Sequence, residues 1–332
     1  MSPDPLPSAS KPRRPARGLA HDVVADLTQR IQTGELRPGD KLPTDSEIVR
    51  ERGVSRTVVR EAISRLQAAG LVSGQCAEAW NLSHPEAVAA VARAYAEAGA
   101  GVVTSNTFGG SPAKLASSGL EARCEELNAL GVRLAREAVG EAVFVAGDLG
   151  PSGQLLEPYG DMPLAEARAG FIRQIAGLSE GGADCILIET MMDLAEAIIA
   201  VEAAREAAPD LPVYCTLSFQ ENGRTVFGVT PEQAAERLAE AGVDGMGLNC
   251  GVGSVQAVGV VEAFVRATPL PVIVQPNAGM PRLVDGVTVF DETPEEIAAN
   301  AKRFRDMGAR WLGACCGSTP DHIRAIAQAV MA

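Results

Sequence analysis

Three cysteines in the second half of the chain stand where metal chemistry is possible. Cys250 ends the apolar run Gly-Met-Gly-Leu-Asn-Cys, and Cys315 and Cys316 are adjacent in Leu-Gly-Ala-Cys-Cys-Gly. A vicinal pair does not readily cross-link to itself, so both thiols are free for another partner. Tetrahedral zinc takes thiolates readily, and three protein ligands leave a fourth position for substrate or water. Glycines at 251, 253, 313 and 317 keep the adjoining loops small enough for two strand ends to approach one metal ion. Zinc ligation by Cys250, Cys315 and Cys316 is therefore the expectation. Cys185 and Cys215 lie inside apolar runs and Cys124 on a helical stretch, where a cysteine is ordinarily a small buried hydrophobe.

The elements that must bring these sulfurs together follow from periodicity. Short Val/Ile/Leu-rich runs recur at 102–108, 143–151, 185–190, 213–219, 245–250, 272–279 and 311–317. Ala/Glu/Arg-rich helical segments lie between them, among them 85–98, 164–180, 193–207, 231–241 and 293–307, and a final helix closes the chain. Such alternation signals parallel βαβ units. It suits a doubly wound sheet as well, but seven strands and a final helix favour an α/β (β/α)8 TIM-type barrel lacking one strand. In a barrel the C-terminal strand ends converge on one face, where active sites sit, so all three cysteines are expected there. Glu189, at the end of Ile-Leu-Ile-Glu, reads equally as a pocket acid or as a cap for the next helix. Asn106 and Asn249 shape the pocket or cap loops, Asp148 is first a turn residue and second a site residue, and His84 and His322 stand beside helix starts.

The first 75 residues have a different character. They carry 12 Lys and Arg against 9 Asp and Glu, whereas the remainder carries 17 against 33. Residues 1–18 are Pro-rich and basic and read as a flexible arm, with no apolar run resembling a signal peptide. Seven cysteines, an odd number, and no membrane-length apolar segment point to a cytoplasmic chain with reduced thiols. Aromatics are only 4% against 46% apolar residues, so packing must rely on Ala, Val, Leu and Ile. Within 19–72 a helix ending at Gly34, a capping box Thr44-Asp-Ser-Glu47 and a helix opening at Ser55 give helix-turn-helix order.

Gly34-Glu-Leu-Arg-Pro-Gly-Asp-Lys-Leu-Pro43 and Val54-Ser-Arg-Thr-Val-Val-Arg-Glu-Ala-Ile-Ser-Arg-Leu66 resemble the DNA-binding domain of GntR-type winged-helix regulators. The resemblance implies that Arg56, Thr57 and Arg60 meet DNA from the start of the recognition helix. Ser46 stands where that family often has an arginine, and the wing expected after Gly70-Leu-Val is missing, so DNA binding is expected to be weak.

Residues 76–332 resemble the homocysteine S-methyltransferase family, the zinc barrel also found in cobalamin-dependent methionine synthase and betaine–homocysteine methyltransferase. The matching stretches are Glu78-Ala-Trp-Asn-Leu, Thr104-Ser-Asn-Thr-Phe-Gly-Gly, Gly147-Asp-Leu-Gly-Pro, Ile188-Glu-Thr-Met, Gly247-Leu-Asn-Cys-Gly and Gly313-Ala-Cys-Cys-Gly. The resemblance implies zinc on the three cysteines, homocysteine sulfur as fourth ligand and Glu189 holding the homocysteine ammonium. It leaves open the methyl donor (methylcobalamin on a corrinoid-binding partner, S-methylmethionine, S-adenosylmethionine or a betaine). The family's opening strand, which carries an Asp-Gly turn that holds homocysteine, is absent, and only Leu66-Gln-Ala-Ala-Gly-Leu71 matches its end. Metal binding is thus expected to survive better than turnover. The alternative is a DNA-binding regulator whose barrel is a sensor or an inactive fusion.

Overall fold

The computed structural model describes residues 76–280, 282–284 and 287–331. The expected arm, the helix-turn-helix segment and its Arg56, Thr57 and Arg60 lie outside the described residues. Seven parallel strands form one sheet: β1 (Val102–Thr104), β2 (Phe144–Leu149), β3 (Cys185–Met191), β4 (Val213–Leu217), β5 (Gly245–Gly253), β6 (Val272–Asn277) and, last in the chain, β9 (Trp311–Leu312). They pair in sequence order from β1 to β6 and then to β9. Helices α1 (Pro85–Glu97), α2 (Cys124–Val139), α3 (Leu164–Glu180), α4 (Leu194–Ala207), α5 (Pro231–Ala241), α6 (Ser254–Ala267), α7 (Pro294–Met307) and α8 (Pro320–Met331) alternate with them. This is the expected α/β barrel architecture with seven strands, and α1 has no strand before it among the described residues. A separate hairpin, β7 (Arg282–Val284) with β8 (Val287–Val289), interrupts the passage from β6 to α7.

Helix boundaries follow local chemistry. Thr230 and Thr293 each close a capping box with Gln233 and Glu296, and proline follows each in the first turn. Gly242 and Gly308 end the same helices in the left-handed conformation, where a Cβ would be strained. The scarcity of aromatics shows in α4, which presents Ala197, Ala200, Val201, Ala203 and Ala204 to the sheet and so lies close against it. No helix among the described residues is long and apolar enough to cross a membrane.

Two-residue alternation sorts the strands into layers. Val145 and Leu149 face the helices in the main core, while Ala146 joins Cys185, Leu187, Val102, Tyr214 and Trp311 in the barrel interior. Tyr214 meets Trp311 edge-to-face at 5.1 Å between centroids, a floor beneath the C-terminal mouth. At the seam, β1 and β9 have no strand between them among the described residues. The outer layer joins there instead: the Tyr95 hydroxyl donates to Ser318 O at 3.3 Å, and a Cβ on Gly99 would sit 3.2 Å from Ala327 Cβ.

Strands β1 and β9 are shorter than the apolar runs suggest. Ser105 N still donates to Ala146 O at 3.0 Å, after which the Ser105 and Thr107 hydroxyls engage the backbone of Asp148. Beyond Leu312, Gly313 N and Cys315 N donate to Val274 O and Pro276 O before a turn closed by Ser318 N donating to Cys315 O.

β5 and β6 touch so closely at Gly247 that a Cβ there would overlap the carbonyl oxygen of Ile273. Gly247→Ala is therefore expected to destabilise by about 3 kcal/mol or more, at the severe end of overpacking. Gly259→Ala, on the exposed face of α6 where a Cβ meets nothing within 4 Å, is expected to stabilise by up to about 1 kcal/mol. Urea titration of both variants checks the pair; equal behaviour would contradict the close β5–β6 approach.

Candidate metal centre

The sulfurs of Cys250, Cys315 and Cys316 all lie within 4.8 Å of one another at the C-terminal mouth. Cys250 Sγ is 3.7 Å from Cys316 Sγ, and Cys315 Sγ is 4.0 Å from Cys316 Sγ. Tetrahedral metal–thiolate bonds of ~2.3 Å require sulfur–sulfur edges of about 3.8 Å, so this donor set fits a zinc-type ion with a fourth position open. Sequence reasoning brought these three together, and the fold does the same.

Regular strands alone would not do it. On β5 the interior-facing residue is Asn249, and strict alternation would turn Cys250 toward the helices. Cys250 instead adopts φ +57° and Gly251 φ +71°, and the β5–β6 register slips between Asn249 and Gly253. A Cβ on Gly251 would overlap Phe219 O, so only glycine permits this path. A matching bulge lies on β3: Thr190 has φ +60° and the register against β4 slips between Ile188 and Met191, which re-aims Glu189. Positive φ is costly for a β-branched threonine. The vicinal pair is fixed by the end of β6: Cys315 N donates to Pro276 O at 2.7 Å, Cys316 N to Asn277 Oδ1 at 3.2 Å, and Ala278 N to Cys316 O at 2.9 Å.

Asn249 links both bulges. Its Oδ1 accepts from Thr190 N and from Thr216 Oγ1, each at 2.7 Å, while Nδ2 donates to Thr190 Oγ1 at 2.6 Å and lies 3.9 Å from Cys315 Sγ. The side chain is fully buried and every hydrogen-bonding capacity of the amide is used.

Asn106 sits elsewhere. Its Nδ2 donates to Ala77 O and to Asn81 Oδ1, and Asn81 Nδ2 returns a bond to Asn106 O, so this amide ties the segment before α1 to the loop after β1. His322 is structural, its Nδ1 accepting from Thr319 N and its Nε2 facing Glu292 O. His84 lies against Ser83 and the Trp80 ring. Cys124, Cys185 and Cys215 are buried as expected, and burial pushes their thiols upward, Cys124 and Cys185 to about 12.

The site is rich in negative charge. Hydrogen bonds from Cys315 and Cys316 hold the Cys250 thiol well below its ordinary range, while the same contacts and burial push Cys315 up. Burial, and then the charge on Cys250, lift Glu189 to about 7. Asp148 is pushed well above the carboxylate range by burial and then by Glu189 and Glu78. It is a strand residue on β2, two positions beyond Ala146, rather than the turn residue expected. That alternation was the signal for it. Lys114, also missed, packs its ammonium 4.3 Å from the Phe108 ring centre; burial lowers its pKa against the pull of Glu78, Glu196 and Asp148.

Residues 50–330 match the homocysteine S-methyltransferase family, and residues 19–78 match the gntR family of bacterial regulatory proteins, so the two matches overlap over 50–78. The methionine synthase of Mycobacterium leprae is 30% identical over 322 residues, covering 93% of this chain and 25% of that protein. The methionine synthase of Mycobacterium tuberculosis is 33% identical over 266 residues, covering 77% of this chain and 22% of that protein. The chain thus spans about a quarter of the length of the curated relatives it matches. Among solved structures, the oxidised form of the homocysteine methyltransferase MmuM from Escherichia coli superposes with a TM-score of 0.67 at 23% identity, covering 80% of this chain and 92% of that one. Its metallated form gives 0.65 at 22%, covering 80% and 93%. The fold of the described residues is shared with both. The chain belongs to the homocysteine S-methyltransferase family, a family of methyltransferases.

In metal-free protein the lowered Cys250 thiol is expected to remain reactive at pH 6, where an ordinary thiol with a pKa of about 8.5 is almost wholly protonated. Iodoacetamide labelling followed by peptide mapping should modify Cys250 well ahead of Cys185 and Cys215. Uniform labelling would contradict the hydrogen-bonded arrangement of the three sulfurs.

Proposed function

We propose that the chain transfers a methyl group to the thiol of homocysteine, giving methionine, at a zinc ion held by Cys250, Cys315 and Cys316. The observation that carries this reading is the convergence of three sulfurs, at edges suited to tetrahedral thiolate ligation, beside the half-buried carboxylate of Glu189. Membership of the family and the methionine synthase relatives support it. Bound zinc supplies Lewis acidity that keeps a thiol ionised at neutral pH.

The chain's own residues do the remaining work. Glu189 receives the substrate ammonium, which favours its charged form and offsets its burial. Asn249 fixes Thr190 and reaches Cys315, so acid and sulfurs hold a common frame. The Tyr214–Trp311 floor closes the interior below the site. Methylcobalamin on a corrinoid-binding partner, S-methylmethionine, S-adenosylmethionine and a betaine all present a methyl group that a thiolate can attack in line, and assaying each in turn identifies the donor.

Purified protein is expected to hold about one zinc per chain. Cys250→Ala and Cys316→Ala are expected to lose nearly all of it and all methylation of homocysteine, whereas Cys185→Ala keeps both. Asn249→Ala retains every ligand yet should weaken zinc affinity by roughly tenfold to a hundredfold, the effect of removing a residue that orients ligands. Metal analysis and chelator competition measure this; equal zinc retention in all four variants would refute the site.

The gntR match favours a second activity, binding of DNA through Arg56, Thr57 and Arg60. A single module on a strongly acidic chain is expected to bind in the non-specific range, roughly 10⁻⁴–10⁻⁶ M at physiological salt. Titration of labelled promoter fragments at two salt concentrations checks this. Nanomolar, sequence-selective binding abolished by Arg56→Ala would make regulation the leading function.

A further inference from the structure

Cys250 and the vicinal pair stand on separate parts of the chain, and one residue outside the site reaches both. Only Gly251, Val252 and Gly253 separate Cys250 from Ser254, the first residue of α6. With a glycine on each side of Val252, this stretch has little conformational preference of its own, and its path is set by what holds its ends. Asn249 holds the near end through Thr190 and Thr216. Glu292, two residues before α7, holds the far end: the fully buried Ser254 donates its N–H to Oε2 at 3.2 Å and its hydroxyl to Oε1. A carboxylate suits that place, because the first turn of a helix leaves N–H groups without intrahelical partners at the positive end of its dipole. Asn300 of α7 steadies the pair, its Nδ2 donating to Ser254 Oγ at 2.6 Å.

The main chain of the same residue carries the other two ligands. Glu292 N donates to Ala278 O at 3.0 Å, and Ala278 N donates to Cys316 O at 2.9 Å. On its other side, His322 Nδ1 accepts from Thr319 N at 3.1 Å. The ring proton therefore sits on Nε2, which donates to Glu292 O at 3.0 Å. Thr319 lies just beyond the Cys315–Ser318 turn, so that turn is gripped before and after. The packing leaves no slack between the two halves. A Cβ on Gly253 would fall 2.9 Å from Gly279 Cα, and one on Gly279 would fall 3.1 Å from Glu292 N.

We infer that Glu292 is a positioning residue for the sulfur site: it fixes the span between Cys250 and the pair Cys315–Cys316, and with it the geometry of the metal held there. This rests on the metal-site reading proposed above. Cys250 Sγ and Cys316 Sγ are 3.7 Å apart, close to the edge a tetrahedral thiolate site requires. Loosening the start of α6 opens that edge while every sulfur remains in the chain. A carboxylate serving only as a helix cap would act on stability and leave the metal alone, which separates the two roles.

The test uses the full chain, with Glu292→Gln and Ser254→Ala breaking the link from either side. Glu296→Ala is the control, since it removes the α7 capping box and touches neither ligand segment. Zinc affinity is read by chelator competition, thiolate coordination by the sulfur-to-metal absorption of the cobalt(II) form, and stability by the melting temperature of metal-free protein. Glu292→Gln is expected to weaken zinc affinity by roughly tenfold to a hundredfold, the effect of losing a residue that orients ligands, and to alter the cobalt absorption. Ser254→Ala should do the same, and the double variant should be about as weak as either single one, because both remove one interaction. Glu296→Ala should lower the melting temperature and leave zinc affinity and the cobalt spectrum unchanged. Wild-type affinity and spectrum in both Glu292→Gln and Ser254→Ala would overturn the inference and leave the zinc site standing. Equal loss of zinc in Glu296→Ala would also overturn it, by making general stability the cause. If wild-type protein held no zinc, the metal-site reading would fail and this inference with it.

Discussion

The amide of Asn249 is the constraint on which the mouth of the barrel depends. Two residues that disfavour positive φ, Cys250 and Thr190, adopt it, at a cost on the order of 1–2 kcal/mol each. Asn249 opposes that cost with three short hydrogen bonds and a weaker approach to Cys315, each short bond worth about 1 kcal/mol net and more if left unmade. The balance favours the bulged form because the bulges and the amide stabilise one another: a regular β3 would leave the buried amide unpaired. One side chain thus couples the direction of Glu189 to the position of Cys315, although the two lie on strands far apart in the sheet order.

The second organising feature is charge. The interior changes along the strand axis from an apolar floor of Ala146, Leu187, Tyr214 and Trp311 to a rim carrying Asp148, Glu189 and three thiols. Among these groups, Cys315 is approached by the Asn249 amide and Cys316 N–H is held by Asn277, while Asp148 keeps an unpaired oxygen with the Lys114 charge acting on it. Glu78 accepts from Gly109 N at 2.5 Å and from the Cys76 thiol at 3.0 Å. Such a rim is complete only with cations, which is the chemistry the proposed zinc and substrate ammonium supply.

Much of this was legible in the sequence, and the part that was not has a definable cause. The helix at 164–180 and that at 231–241 fall where periodicity and capping put them, because caps and amphipathic spacing are local properties. The three cysteines were found because glycines and strand ends are local as well. Thr190 and the bulge at Cys250 were not visible, since neither residue type favours positive φ; at Thr190 the conformation is held by Asn249 from another strand. For Asn106 and Asn249 the sequence offered the same two roles, and only the neighbours separate them: Asn81 for one, Thr190 and Thr216 for the other. The pairing of β7 with β8 was overlooked because each strand is only three residues long.

The seam between β1 and β9 has a mechanical meaning. The strands flanking it are the shortest of the sheet, three and two residues, and α1 is fastened across it to the turn before α8 by Tyr95 donating to Ser318 O. The molecule is therefore hooped like a cask: the outer band carries the load where a stave is short. In such a construction the sulfur site, seated on β5, β6 and the turn after β9, is braced from the β6 side and does not lean on the short edge at β1.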